Sequence, residues 1–89
     1  MRIEKIAQTV FTPLADGTAV LLNLNTLAYY RLNRTAAVLW QEIDSGTADT
    51  FDELIQQTCE IYEVDSGRAD APLHEFVTRL AEFKIVRLA

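Results

Sequence analysis

The stretch that decides the fold is Leu27-Ala28-Tyr29-Tyr30-Arg31-Leu32-Asn33-Arg34-Thr35-Ala36-Ala37-Val38-Leu39-Trp40, in which a two-residue pattern gives way to a helical one. Residues 28–32 are short, rich in aromatic side chains and preceded by the turn-like pair Asn25-Thr26, which is typical of a strand. From residue 36 to residue 43 the apolar side chains recur at helical spacing. The pattern therefore predicts a strand that runs directly into a helix, with Asn33 or Thr35 as the helix N-cap.

Two further strands are predicted before this stretch. The first covers residues 9–14 and contains Pro13, which cannot donate to a strand ladder and so belongs at a sheet edge or a strand end. The second covers residues 19–24 and is so continuously apolar that we expect it in the middle of the sheet. Between them, Asp16-Gly17 is a strong hairpin signal, because glycine tolerates the positive φ of tight turns.

Two helices are predicted over the next part of the chain. The first runs from about residue 34 to residue 44 and should end near Gly46. The second begins at Thr50, which with Glu53 has the spacing of a capping box, and we expect it to end at Asp65-Ser66-Gly67. Its apolar stripe is formed by Phe51, Leu54, Ile55, Thr58, Cys59 and Tyr62.

A third helix is predicted from about residue 70 to residue 84. Pro72 is compatible with this helix only in its first turn, where the missing N–H has no partner to lose. The apolar face of the third helix is formed by Leu73, Phe76, Val77, Leu80 and Phe83. Residues 85–88, which follow this helix, could form a closing strand or an extended tail.

Length and composition indicate one small domain. The chain has 89 residues, 49% of them hydrophobic and 24% charged, which is an ordinary composition for a folded protein. Residues 1–8 show no clear pattern, and we expect them to form a frayed or loosely attached arm. The predicted fold class is α+β and winged-helix-like, with a three-stranded antiparallel meander followed by three helices.

Charge and cysteine usage narrow the functional classes. The net charge is −5, and residues 41–82 alone hold eleven acidic and two basic residues. This acidic half would repel phosphate backbones, so we expect no nucleic-acid partner. The single cysteine permits no internal disulfide, and no apolar run is long enough to cross a bilayer. We therefore expect a cytoplasmic protein with no membrane partner.

The residue sets that enzymes need are largely missing. One histidine and one cysteine cannot build a structural zinc site of four ligands. Cys59 lies on an apolar stripe, which favours a buried thiol, and His74 is expected on a solvated helix surface. Trp40 is more simply a core residue than a ligand platform. We therefore predict no catalytic residues, no metal site and no cofactor.

The central stretch also carries a family resemblance. A Tyr-Tyr-Arg-Leu-Asn-Arg-Thr run over residues 29–35, leading into a helix that carries Trp40, resembles the PqqD family. Members of this family resemble the peptide-recognition domains of pathways that modify ribosomally made peptides, including small stand-alone proteins of lasso-peptide clusters. The resemblance covers roughly residues 10–88. It implies that the leader segment of a precursor peptide pairs with the third strand and lies in a groove against the third helix.

The residues favour the same location on separate grounds. The third strand ends the meander and so presents an unpaired row of N–H and C=O groups, to which a peptide could add as a further strand. For the apolar helix residues, plain core packing is an equally good interpretation, and Pro72 departs from the usual family pattern. Carried across by position, the resemblance implies a peptide-binding site formed by Ala28, Tyr29, Tyr30, Arg31, Leu73, Phe76, Val77, Arg79 and Leu80.

The leading functional hypothesis is a non-catalytic protein that binds a precursor leader peptide and delivers it to a separate modifying enzyme, either a leader peptidase or a radical enzyme. The alternative is a small winged-helix regulator that binds DNA or docks on proteins, because the order of elements is the same. Charge disfavours the DNA version, since the outward residues of the third helix include two acids and one arginine. A third hypothesis, an enzyme that uses Cys59, requires Cys59→Ser to abolish activity.

Overall fold

A computed structural model describes the backbone of residues 1–89 and every side chain except that of Ser66. The predicted α+β arrangement, a three-stranded antiparallel meander followed by three helices, is confirmed. A short strand is added near each end of the chain. In chain order the elements are β1 (Ile3–Lys5), β2 (Thr9–Pro13), β3 (Ala19–Asn23), β4 (Ala28–Leu32), α1 (Arg34–Asp44), α2 (Phe51–Tyr62), α3 (Ser66–Glu82) and β5 (Val86–Leu88).

The three-stranded sheet has the order β2-β3-β4, so β3 is central as its apolar sequence predicts. Pro13 is the last residue of the edge strand β2, where its missing N–H costs the sheet no hydrogen bond. In the turn between β2 and β3, the Leu14 N–H donates to the Thr18 carbonyl at 2.8 Å, and Gly17 takes a φ of 88°. The predicted Asp-Gly hairpin is therefore present.

The N-terminal residues are not the loose arm that the sequence suggested. β1 pairs with β5 in an antiparallel two-stranded sheet in which Ile3 lies opposite Leu88. Ile3 and Ala7 are buried, and the N–H groups of Ile6 and Ala7 both donate to the carbonyl of Ile85. A three-residue strand is too short to show a periodic pattern, and its partner lies at the other end of the chain, so no local signal could reveal it.

Side-chain caps set the starts of the first two helices. At α1 the cap is Asn33 rather than Thr35, because the Asn33 side-chain oxygen accepts a hydrogen bond from the Ala36 N–H at 2.8 Å. At α2 the Thr50 hydroxyl oxygen accepts from the Glu53 N–H at 3.1 Å. The Glu53 carboxylate accepts from the Thr50 hydroxyl rather than from its backbone N–H, so only half of the predicted capping box forms.

The third helix begins one turn earlier than predicted. The left-handed residue Glu63, with φ 53°, ends α2, and Asp65 caps α3 by accepting from the Arg68 N–H at 2.8 Å. Pro72 is therefore inside the helix rather than in its first turn. The missing N–H leaves the Arg68 carbonyl without its helical donor. Since Arg68 is exposed, water can take the place of that donor.

The core lies between the inner face of the sheet and the three helices. Trp40, at its centre, has no exposed surface, as expected, and its indole N–H has no hydrogen-bond partner among the described atoms. The largest fully buried neighbours include Leu21, Leu54, Val77 and Ile85. None of the three helices described is long and apolar enough to cross a membrane.

Candidate functional site

β4 is an open edge of the three-stranded sheet, since β3 is its only partner among the strands described. Hydrogen bonds at both ends of the β2–β3 ladder show that every second residue of β3, counted from Leu22, directs its backbone N–H and C=O groups toward β2. By the alternation of an antiparallel ladder, Leu21 and its alternate neighbours bond toward β4, where Tyr30 is the partner of Leu21. The backbone N–H and C=O groups of Tyr29 and Arg31 therefore point away from the sheet.

A groove of about 240 Å³ lies between this edge and α3. One wall comes from β4, the opposite wall from α3, and the first turn of α1 closes one end. The combination of apolar and charged side chains suits an amphipathic ligand. The lining residues are Leu21, Tyr30, Arg31, Leu32, Asn33, Ala36, Pro72, Glu75, Phe76, Arg79, Leu80, Phe83 and Ile85.

An aromatic stack joins the two walls of the groove. The rings of Tyr30 on β4 and Phe83 at the end of α3 are nearly parallel, with an interplanar angle of 7° and centroids 4.0 Å apart. Aromatic pairs of this kind contribute about 0.5–1.5 kcal/mol beyond the area that they bury. The stack fixes the distance between strand and helix at this end of the groove.

Asn23 strengthens the same junction from inside. Its side chain is fully buried at the end of β3, where its Oδ1 accepts from the N–H groups of Asn25 and Thr26 at 2.9 and 3.3 Å. Its Nδ2 donates to the carbonyl of Phe83 at 3.1 Å. One side chain therefore holds both the turn before β4 and the end of α3. The sequence predicted only a turn here, and the asparagine that begins it was the available signal.

Two arginines give the groove its positive charge. The Arg31 guanidinium lies 3.9 Å from the carboxylate of Asp16, and both side chains are exposed. Hydrogen bonds from the hydroxyl and backbone N–H of Thr18 lower the pKa of Asp16, with a smaller contribution from the charge of Arg31. Arg79 forms no ion pair with any carboxylate in the described part of the chain. A helical ion pair of Arg79 with Glu75 or Glu82 is therefore not formed.

The structure brings five of the nine predicted site residues together around the groove. They are Tyr30, Arg31, Phe76, Arg79 and Leu80. Ala28 and Tyr29 lie on the same edge strand but do not line the groove, and the Tyr29 side chain is 74% exposed on the outer face of the sheet. Tyr29 can still reach a ligand through its outward-facing backbone groups.

The other two predicted residues are part of the core. Val77 has no exposed surface and Leu73 only 3%, so both support the groove from behind. Leu80 lines the groove but is only 2% exposed, so the core interpretation holds for all three residues. Helical spacing alone does not separate these residues from Phe76, which is half-buried and lines the groove. The eight lining residues that the sequence did not predict as part of the site are Leu21, Leu32, Asn33, Ala36, Pro72, Glu75, Phe83 and Ile85.

A second cavity, of about 350 Å³, lies behind the first turn of α1 and between the facing ends of α2 and α3. It is mostly apolar and shares part of its lining with the groove. Its lining residues are Asn33, Thr35, Ala36, Leu39, Thr58, Tyr62, Val64, Arg68, Ala69, Pro72, Leu73 and Phe76.

The two residues considered for catalysis, Cys59 and His74, both pack against other side chains. Cys59 is half-buried beside the core, and the His74 ring packs edge-on against Phe51 with centroids 5.5 Å apart. No group of three potential metal ligands occurs among the described residues.

The outer surface of α3 is acidic. A shallow depression there is lined by three carboxylates and one arginine. A recognition helix for nucleic acid needs the opposite balance, because phosphate contacts supply most of its affinity. The residues of this surface are Asp70, Ala71, His74, Glu75, Thr78, Arg79 and Glu82.

Together these features define a small α+β domain with an open edge strand facing a helix across a groove. The family model described as coenzyme PQQ synthesis protein D (PqqD) matches residues 18–86, and the chain therefore belongs to the PqqD family. The match begins after β2, whereas the resemblance in the sequence extends from about residue 10.

A solved structure shares the fold. It is TbiB1 in complex with the TbiA(β) leader peptide, and it matches with a TM-score of 0.81 and 23% sequence identity. The match covers 97% of this chain and 96% of the other. No curated protein matches the chain.

Proposed function

We propose that this chain is a non-catalytic recognition protein that binds the leader segment of a ribosomally synthesised precursor peptide. The observation that carries the proposal is the open edge of β4 beside the groove against α3. Membership of the PqqD family supports it, as does the shared fold with a protein solved together with a leader peptide.

The peptide adds to the sheet as a fourth strand. The outward N–H and C=O groups of Tyr29 and Arg31 bond its backbone, which gives affinity that does not depend on sequence. Alternate peptide side chains then point toward the helices, where they meet the apolar surface of Tyr30 and Phe76. Main-chain pairing holds the peptide in place, and the side-chain contacts select its register.

The arginines add a preference for acidic residues. Arg79 lies on the helix wall without a carboxylate partner among the described residues, and Arg31 lies on the strand wall. Charge-assisted hydrogen bonds from guanidinium to carboxylate are about twice as strong as neutral ones. The proposed leader therefore carries an acidic side chain next to its strand-forming segment.

After capture, the protein delivers the precursor to a separate enzyme. We propose a leader peptidase, as in lasso-peptide clusters, or a radical enzyme, with the encounter taking place in the cytoplasm where precursors are made. The resemblance to stand-alone recognition domains supports this step. The identity of the enzyme follows from the neighbouring genes, because a precursor gene and its modifying enzyme are expected beside this one.

Amide exchange measured by NMR tests the binding mode. The probe is a synthetic peptide with the leader sequence of the neighbouring precursor gene, and the control is a scrambled peptide of the same composition. We expect slower exchange at the N–H groups of Tyr29 and Arg31, together with shift changes along residues 73–80. Changes confined to the Asp16-Gly17 turn or to α2 would refute the groove.

A further inference from the structure

We infer that Glu75 and Arg79 recognise two opposite charges on the bound peptide, a basic residue followed two positions later by an acidic residue. This inference rests on the proposed function, since it names a sequence feature of the leader segment that adds to β4. It goes beyond a preference for acidic residues, because it assigns a role to Glu75 and fixes the order and the spacing of the two charges.

The two charged side chains lie on the same wall of the groove. Glu75 and Arg79 are exposed, are four residues apart on α3, and both line the groove beside the half-buried ring of Phe76. Their spacing allows an ion pair within the helix. Neither, however, lies within ion-pair distance of the other or of any further charged group among the described residues. Both charges are therefore available to a ligand.

The helix α3 runs antiparallel to β4 across the groove. Tyr30, in the middle of β4, stacks on Phe83 at the C-terminal end of α3. Asn33, which follows β4, lines the groove and the second cavity together with Pro72 from the N-terminal half of α3. A peptide that extends from Tyr30 towards Asn33 therefore meets the turns of α3 in reverse order, beginning at the C-terminal end.

The geometry of the helix and of the strand sets the spacing of the two charges. Arg79 lies four residues before Phe83, about 6 Å along the helix axis, and Glu75 lies about 6 Å further on. A strand covers about 6.6 Å in two residues, and those two side chains point to the same face. Since Phe83 stacks on Tyr30, Arg79 is about level with Leu32. The peptide residue opposite Leu32 and its next alternate neighbour towards α1 therefore face the two charges.

The direction of the peptide gives the order of the charges. β4 continues an antiparallel sheet, and antiparallel ladders are slightly more stable per residue than parallel ones. An antiparallel peptide runs from the α1 end of β4 towards Ala28, so it passes Glu75 before it passes Arg79. Its basic residue therefore comes two positions before its acidic residue.

Selection from a random library of displayed peptides tests the inference, and it requires no known leader sequence. The peptides are longer than the five residues of β4 and are selected in parallel on four proteins. The first two are the parent and Glu75→Lys. The third, Glu82→Lys, makes the same change in net charge at an exposed position of α3 outside the groove. The fourth combines Glu75→Lys with Arg79→Glu and keeps the net charge of the parent, and circular dichroism checks the folding of each.

On the parent and on Glu82→Lys we expect a strand-forming segment in which a basic residue precedes an acidic residue by two positions. On Glu75→Lys the segment and its acidic residue should remain, while the basic residue should be depleted. On the double variant the order of the two charges should be exchanged. A synthetic consensus peptide should bind Glu75→Lys about fivefold more weakly than Glu82→Lys, because the attraction of an exposed pair becomes a repulsion.

The failures are distinguishable. If the basic position is random on the parent, or is depleted equally on Glu75→Lys and on Glu82→Lys, the inference is wrong while the proposed function stands. An acidic residue that precedes the basic residue on the parent would likewise overturn the inference. If no strand-forming segment is enriched on the parent, the proposed function fails together with the inference.

A neutral variant keeps the test decisive should Glu75→Lys fail to fold. Glu75→Gln removes the charge and preserves the size of the side chain. On this variant the basic position should become random while the acidic position remains enriched. Enrichment of the basic residue identical to that on the parent would count against the inference.

Discussion

The two edges of the three-stranded sheet differ in what lies beside them. On β2 the outward positions are Thr9, Phe11 and Pro13, and the proline removes one donor from the row. On β4 they are Tyr29 and Arg31, and the groove against α3 runs alongside. An unpaired edge alone offers only backbone groups. Selective capture of a peptide therefore requires an edge strand together with a neighbouring wall of side chains.

The wall beside β4 is held by contacts that β2 lacks. Asn23 bonds the end of α3, and the Tyr30 ring stacks on Phe83. On the β2 side of the same hairpin, the side chain of Asn25 accepts one long bond, at 3.4 Å, from the Gln8 N–H. Asn23 and Tyr30 therefore join the sheet to the end of α3.

The largest effect is expected when the hydrogen bonds of Asn23, which join the sheet to the end of α3, are removed. Asn23→Ala should lower the free energy of unfolding by about 2–4 kcal/mol, because it removes several hydrogen bonds of a fully buried side chain and leaves a cavity in its place. The matched control Asn25→Ala, at an exposed site with one weak bond, should cost less than about 1 kcal/mol. Urea denaturation followed by circular dichroism measures both. Equal losses would contradict the asymmetry between the two sides of the hairpin.

Charge reversal in the groove should come next. If the arginines meet acidic groups of the leader, Arg79→Glu and Arg31→Glu should each weaken binding by about 1.5–3 kcal/mol, the range for hydrogen bonds to charged groups. A solvated surface pair would give less than about 1 kcal/mol. Calorimetry with the leader peptide at two salt concentrations distinguishes the two results, and circular dichroism confirms folding.

Parent-like binding by both arginine variants at both salt concentrations would show that recognition does not depend on charge. The affinity would then come from strand pairing and from the apolar surface around Tyr30 and Phe76.

Introducing a proline into each edge strand compares β4 and β2 directly. Tyr29→Pro removes an outward N–H of β4 and leaves the bonds to β3 in place, so leader binding should weaken by about 0.5–1.5 kcal/mol for the lost hydrogen bond. Thr9→Pro makes the same change on β2 and should leave binding unchanged. Weaker binding by the Thr9 variant alone would indicate that the peptide binds to β2, the opposite edge of the sheet.

The smallest effect concerns the two-stranded sheet of β1 and β5, in which an ion pair joins the two strands. Arg87 donates to the carboxylate of Glu4 directly across the ladder, and this contact lowers the pKa of Glu4. The stabilisation is therefore present above the pKa of Glu4 in the unfolded chain, and it is lost as the pH falls through the lower folded value. NMR titration of Arg87→Ala should show the Glu4 pKa returning toward its ordinary value, and an unchanged pKa would exclude the pairing.

Local patterns in the sequence were sufficient to predict β4 and α1. β4 and α1 have the residue bounds that were predicted, because a strand pattern and a helical pattern meet at one capping residue, Asn33. The start of α3 was missed because Pro72 was taken to mark a first turn, whereas Asp65 caps the helix one turn earlier. Proline tolerates a helix interior where the carbonyl that it deprives of a donor can reach water.

Features that depend on distant contacts were beyond the sequence. The pairing of β1 with β5 joins opposite ends of the chain, and the buried role of Asn23 depends on the end of α3. The groove was predicted between the correct two elements, but the helical pattern could not distinguish the lining residue Phe76 from its buried neighbour Val77.

The position of Trp40 has a spectroscopic consequence. It is the one tryptophan of the chain, it has no exposed surface, and it lines neither the groove nor the second cavity. Its fluorescence should therefore be emitted at short wavelength in the folded protein and shift to longer wavelength on unfolding, while a bound peptide leaves it nearly unchanged. Tryptophan fluorescence thus reports folding without a contribution from peptide capture, and a variant that loses capture can be checked for folding by this signal.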